Sequence, residues 1–475
     1  MSIFKKFPRT FWVANSLELI ERWAWYGFFM LFATYLTGSS DVGGLELTQI
    51  QKGTIMGVGT GILYFLPVLT GAIADRYGYK KVLILSFIIY VSAFLLLPLF
   101  KTYTGVFIMY LYLALGAALF KPIVSATVAK TTDETTSSIG FGIFYMMVNI
   151  GAFFGPLVTL LFNKGGNSHL IFYISAAIIA LNFILLFFYK EPAHEEVKSK
   201  GGLLTEFANV FKNMGSIIKD VKFILFLLIV AGFWTMYNQL FFTLPVFISQ
   251  WVDTAPLYNF FASYLPFFSN HYSTGSGLID PEFITNFDAM YIILLQIVVS
   301  SIVMRLKPLK SMMSGFLVCS IGMSLTLYSQ NVVFTIVAIL VFAIGEMAGS
   351  PKITEYIGRI APSDKKALYM GYSFIPVFLG NLFAGYISGG LYQSMSDKVS
   401  LVRLYAQEHG IQVAESFSNN EYFNLVAQKS GITPHELTNT LWNTYHPYNI
   451  SYVLLGIGLG ATLLLFLYDR LLMKK

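Results

Sequence analysis

Apolar runs long enough to cross about 30 Å of hydrocarbon, roughly 20 residues each, recur twelve times along the chain. They lie near 11–37, 49–74, 81–100, 104–129, 138–162, 169–189, 223–250, 287–304, 311–329, 332–360, 367–392 and 449–471. The polar stretches between them are short except at 190–222, 251–286 and 393–448. This pattern predicts an all-α membrane protein of 12 transmembrane helices in two six-helix halves: residues 1–190 and 223–475, joined by a linker at 191–222. Within the linker, Leu203, Phe207, Val210, Phe211, Met214, Ile217, Ile218 and Val221 recur at helical spacing. That spacing predicts an amphipathic helix on the inner membrane face. The segments 251–286 and 393–448 are expected to be long outer loops.

Composition and charge agree. Of 475 residues 56% are hydrophobic and only 12% charged, against roughly 25% charged in soluble domains. Basic residues cluster at one side: Lys5, Lys6 and Arg9, then Arg76, Lys80 and Lys81, then Arg305, Lys307 and Lys310, and finally Arg470, Lys474 and Lys475. The opposite segments hold only Lys101, Lys164, Lys398, Arg403 and Lys429. Positive residues stay cytoplasmic, so both termini are expected inside, in a multi-pass plasma-membrane protein such as one of the bacterial inner membrane. The single Cys319 excludes an intrachain disulfide.

Charges inside the spans then call for a reason, since each costs on the order of 2.5–3.5 kcal/mol at the centre of a helix. Glu18, Glu21 and Arg22 stand at i, i+3 and i+4, and Tyr26 follows on the same flank. At about 1.5 Å per residue Glu21 reaches mid-membrane. Lys121 in the fourth span, followed by Pro122, and Glu346 in the tenth lie at similar depth. Three carboxylates against two fixed cations leave one acid unbalanced and able to bind and release a proton. The plainer reading is a static salt-bridge network, a weak stabiliser. Lys352, Glu355 and Arg359 continue down the inner half of the tenth span as an intracellular gate or a snorkelling ladder.

Two sets of motifs resemble known families. "GAIADRYGYKKV" (Gly71–Val82) resembles the loop between spans two and three of the major facilitator superfamily. The resemblance implies alternating access, with Asp75 and Arg76 in a gating latch where Asp75 can meet a helix terminus of the other half. "ELIERWAWYG" (Glu18–Gly27) is similar to the first-span motif of the proton-dependent oligopeptide transporters. "YFLPVLTGAIADR", "LFKPIVSA", "FGIFYMMVNIGAFFGP", "FWTMYNQ", "GEMAGSP" and "GNLFAGYISG" continue the likeness in register. This second resemblance implies that Glu18, Glu21, Arg22 and Lys121 couple protons, with Lys121 as cross-helix partner. It implies that Glu346 receives a peptide's amino group, that Tyr26, Tyr64, Tyr145 and Asn149 line the cavity, and that Trp234 packs at its wall. Two positions depart from the family: Phe29 replaces an arginine, and Asn238, still counted at the substrate site, replaces an acid.

The leading expectation is a proton-coupled symporter importing di- and tripeptides as a monomer. It would have no cofactor beyond the coupling proton, no metal and no nucleic-acid partner. Phe29 and Asn238 favour the rival within the class, a carrier of another zwitterionic, cationic or peptide-like solute. A non-transporting sensor or scaffold would use the long outer segments. An enzyme is the weakest reading, for no nucleophile–base set, metal cluster or phosphate loop is evident.

Overall fold

The structure, a computed structural model, describes residues 6–133, 136–162, 167–192, 220–362 and 366–473, with Ala208, Lys212 and Gly215. The amphipathic stretch expected at 203–221 therefore falls almost wholly outside the described residues. The described residues form helices and no strand.

The first half comprises α1 (Arg9–Thr37), α2 (Gln49–Phe65), α3 (Pro67–Tyr77), α4 (Tyr79–Leu96), α5 (Tyr103–Lys130), α6 (Ser137–Phe162) and α7 (His169–Phe188). The second comprises α8 (Val221–Tyr237), α9 (Phe287–Val303), α10 (Pro308–Thr326), α11 (Val332–Ile360), α12 (Phe374–Tyr386) and α13 (Ile450–Tyr468). Starts are marked by side chains that satisfy orphan amides: Thr48 and Gln51 form a capping box at α2, Asp220 accepts from Phe223 at α8, and Asn331 accepts from Phe334 at α11. Pro67 bends the second span by 44° between α2 and α3. Gly78, at φ 90°, turns the chain from α3 into α4.

Ten of the described helical segments are long and apolar enough to cross a membrane, and the bent α2–α3 pair makes eleven. The helix α1 is not among them, because its charged and polar positions lower its hydropathy. The twelve-span count therefore still rests on reading α1 as a span despite its charges.

The two long polar segments are not loops. Ala255–Tyr264, Pro266–His271 and Pro281–Thr285 fill the first, and Lys398–Glu408, Asn419–Lys429 and Pro434–Tyr445 fill the second. The last three pack on one another through buried Leu401, Tyr422, Val426, Leu437 and Leu441. Pro281–Thr285 also extends α9 into a single apolar stretch from Pro281 to Val303.

The halves meet at the end that carries these short helices. Gly53 and Gly57 of α2 lie against Gly385 and Gly389, so closely that a Cβ on Gly53 would run into the Gly385 carbonyl. Lys52, fully buried, donates to the Phe242 carbonyl at 2.8 Å, and Gln49 Nε2 donates to Asp397 Oδ1 at 2.9 Å. Thr34 donates to Glu282, and the Asn419 amide donates to Glu46 at 2.8 Å. Among the described residues no hydrogen bond joins the halves at the opposite end. There Tyr145 is 46% exposed. Among the described residues, the hydrogen bonds between the halves thus gather at the end that carries the short helices, the closed end.

Candidate functional site

The central site is built first from α1. Arg22 Nη2 lies 2.5 Å from Glu21 Oε2 and 2.7 Å from Glu21 Oε1, while its Nε lies 3.3 Å from Glu18 Oε1. All three side chains are buried, Glu21 completely. Tyr90 on α4 donates its hydroxyl to Glu21 Oε1. The expected i, i+4 pair of Glu18 with Arg22 is present, yet the tighter, bidentate contact is to the adjacent Glu21. A long guanidinium curls back onto its neighbour and leaves Glu18 with the longer contact. Tyr26 stands one turn on, its ring 5.9 Å from the Arg22 guanidinium carbon.

Lys121 on α5 does not pair with these acids within 4.0 Å among the described residues. Its ammonium sits 4.0 Å from the centre of the Tyr64 ring, a cation–π contact that gains strength where water is excluded. Lys121, expected as cross-helix partner of the α1 carboxylates, is thus held on an aromatic face rather than in an ion pair with them. Pro122, next in sequence, removes the amide that would bond Ala118. The Thr70 hydroxyl fills that place, donating to the Ala118 carbonyl at 2.6 Å.

The second half supplies Glu346 on α11. Tyr237 donates to its Oε1 at 2.9 Å, and its Oε2 has no hydrogen-bond partner. Trp234 packs edge-on to Tyr237, 4.9 Å between ring centres, and beside Gly380 of α12. Asn238, where α8 breaks, is buried with its Nδ2 unbonded. On α6 Asn149 Nδ2 turns back to the Tyr145 carbonyl at 2.9 Å, and Tyr145 is among the exposed large side chains.

The residues expected to gate lie apart from this centre. Lys352, Glu355 and Arg359 form a ladder within α11, with contacts of 2.7 and 2.5 Å and Arg359 65% exposed. Asp75 accepts from Tyr79 of its own half at 3.2 Å, and Arg76 lies at the same exposed end.

Sequence reasoning missed four charged groups. Lys52, Glu282 and Asp397 tie the closed end together. Asp288 on α9, only 6% exposed and with Oδ1 unbonded, is carried on a helix that packs against α11. Its signal was an acid inside "FDAMYIILL", but a span drawn from 287 put it at the membrane edge. With the helical stretch beginning at Pro281, Asp288 sits seven residues in, about 10 Å deep.

A family model for the Major Facilitator Superfamily matches residues 16–265. The chain belongs to the Major Facilitator Superfamily. This superfamily member is 24% identical over 333 residues to a Na(+), Li(+), K(+)/H(+) antiporter of Planococcus maritimus, covering 66% of the chain and 75% of that relative. It is 26% identical over 187 residues to a di-/tripeptide transporter of Lactococcus lactis, covering 38% of the chain and 37% of that relative. In fold it is similar to a mutant peptide transporter POT solved with alafosfalin, at TM-score 0.67, 16% identity and 96% coverage of both chains.

Proposed function

We propose that this superfamily transporter is a proton-coupled symporter that imports di- and tripeptides by alternating access across the plasma membrane. It would work as a monomer with both termini cytoplasmic, without enzymatic activity. The observation that carries the reading is the pair of charge sets: Glu18, Glu21 and Arg22 buried on one half, with Glu346 partly buried on the other. Protonating a carboxylate of the first set loosens its hold on Arg22. A peptide's ammonium supplies Glu346 with the cation it lacks. Each event changes the charge of one wall of the same cavity, so proton and peptide can be linked through helix movements that open one end as the other closes. The lysine over Tyr64 offers a carboxylate end a place to bind. With the termini inside, the end at which the halves are joined would face out.

The likenesses to peptide transporters named above support the substrate class. A second reading is favoured by Phe29 and Asn238 and by the antiporter's wider coverage of the chain: a proton-coupled carrier of another zwitterionic or cationic solute. Proteoliposomes with an imposed inward proton gradient and a panel of labelled dipeptides, tripeptides and alkali cations separate the two. The proposal expects peptide accumulation that a protonophore abolishes. Cation flux without peptide uptake would replace it with the second reading.

A further inference from the structure

Between Asp253 and Asp280 lie 26 residues without a lysine, arginine, aspartate or glutamate, and seven of them are aromatic. They carry the short helices Ala255–Tyr264 and Pro266–His271. One aromatic face turns inward. Phe261 and Phe268 meet at 5.2 Å between ring centres, and both pack on Phe283, at 6.0 and 5.9 Å. The other face turns out. Phe260 is 51% exposed, Tyr264 73% and Phe267 55%, with Leu265 exposed between them. The rings of Phe260 and Tyr264, one helical turn apart, meet at 5.2 Å. A contiguous apolar patch of this kind marks a contact with something other than water.

Both ends of the segment are pinned where spans begin. The Asp253 amide donates to the Gln330 carbonyl at 2.8 Å, two residues before α11 starts at Val332. The Asp280 amide donates to the Tyr272 carbonyl at 3.0 Å, and the Tyr272 ring stacks on Phe283 at 4.7 Å. Phe283 is the third residue of the apolar stretch Pro281–Val303. Further in, the same two spans turn large apolar side chains outward: Val333 and Val337 on α11, and Ile293, Leu294 and Ile297 on α9. The patch therefore stands at the head of two lipid-facing helices that pack on each other through Ile292, Ala343 and Met347. That is the level at which amphipathic rings collect in a bilayer.

We infer that the segment Ala255–His271 is a lipid anchor, with Phe260, Tyr264, Leu265 and Phe267 seated in the headgroup–acyl boundary of the leaflet on this side. The occupant is lipid because the patch continues the outward apolar faces of α9 and α11. With no charged side chain in the segment, apolar burial alone holds it, so binding is indifferent to headgroup charge. The anchor ties the starts of both spans to the bilayer surface, whatever solute the protein carries.

Nitroxide accessibility on the full chain in phosphatidylcholine bilayers tests this. Cys319 is fully buried and stays unlabelled, so Phe260→Cys, Tyr264→Cys and Phe267→Cys each take one label. Leu294→Cys, exposed within α9, is the lipid reference, and Ser276→Cys, exposed between Gly275 and Gly277, is the water reference. The ratio of collisions with oxygen to collisions with a water-soluble nickel chelate should be severalfold higher at the three patch positions than at Ser276, and should lie nearer that of Leu294. Mixing in phosphatidylglycerol should leave it unchanged. A ratio at the patch equal to that of Ser276 overturns the inference. So does a patch closed to both reagents, which means that a second copy or another protein covers it, and so does lipid access that appears only with the anionic lipid.

Discussion

The two halves of the cavity treat buried charge in opposite ways. The first half balances its acids with fixed bases: Glu18 and Glu21 share Arg22, and Lys121 stands close by on Tyr64. The second half presents Glu346 and Asp288 with no arginine or lysine in contact among the described residues, and only the Tyr237 hydroxyl as a donor. A balanced cluster responds to a proton, because protonating a carboxylate breaks an existing pair. An unbalanced one responds to whatever cation enters. The difference suits a carrier in which the coupling ion is sensed on one wall and the solute on the other.

Breaking the balance of the first half should have the largest effect. Arg22→Ala leaves two carboxylates buried without their cation, which costs about 3–5 kcal/mol when one partner of a buried pair is removed. The yield of monodisperse protein and its melting temperature in detergent should fall sharply. Adding Glu18→Gln and Glu21→Gln to the same chain should restore much of the loss, and a melting temperature no better than that of Arg22→Ala would contradict the pairing.

A subtler change separates coupling from folding. Glu21→Gln keeps shape and hydrogen bonding to Tyr90 but cannot exchange a proton. Counterflow of peptide should continue while gradient-driven accumulation stops; full accumulation in that variant would refute the role given to Glu21.

The place where the halves touch comes next. Lys52→Met removes the buried amine that reaches the Phe242 carbonyl, a hydrogen bond worth about 0.5–1.5 kcal/mol. Spin labels placed on either side of the closed end should show a larger population of long distances in that variant. An unchanged distribution would mean that the glycine contact between α2 and α12 and the other cross-half hydrogen bonds hold the closure without Lys52.

The smallest effect concerns Glu46, outside the membrane. Partial burial raises its pKa, but hydrogen bonds from the Asn419 and Ser40 amides and from Ser39 outweigh this and hold the carboxyl below its ordinary value of 4.5. A lowered value means the stabilisation is present above the ordinary carboxylate range and is lost as pH falls through the folded-state value. Hydrogen exchange at 418–430 should therefore quicken on acidification beyond that point, and Glu46→Gln should flatten the trend.

Much of this was legible in the sequence because the bilayer imposes a simple rule on length and polarity. Charges deep in apolar runs, such as Glu21, Lys121 and Glu346, announced themselves. Asp288 and Lys52 did not, since a charge one or two turns from a span's end reads as an edge residue until the true helix start is known. The helices Asn419–Lys429 and Pro434–Tyr445 were overlooked although their capping boxes, Ser418 with Glu421 and Thr433 with Glu436, are written in the sequence. Their average polarity hid them beside the membrane spans. The bidentate grip of Arg22 on its immediate neighbour was out of reach, because helical spacing predicts i, i+4 contacts and says nothing of how a long side chain curls.

Coupling itself is tested most directly by following protons when peptide is added. Proteoliposomes loaded with a trapped pH dye, under no imposed gradient, receive Ala-Ala outside. The account predicts that the interior acidifies as the peptide enters, and that Glu21→Gln vesicles preloaded with unlabelled Ala-Ala exchange it for labelled peptide with no such change. Peptide entry into unmodified vesicles with a steady internal pH would contradict it.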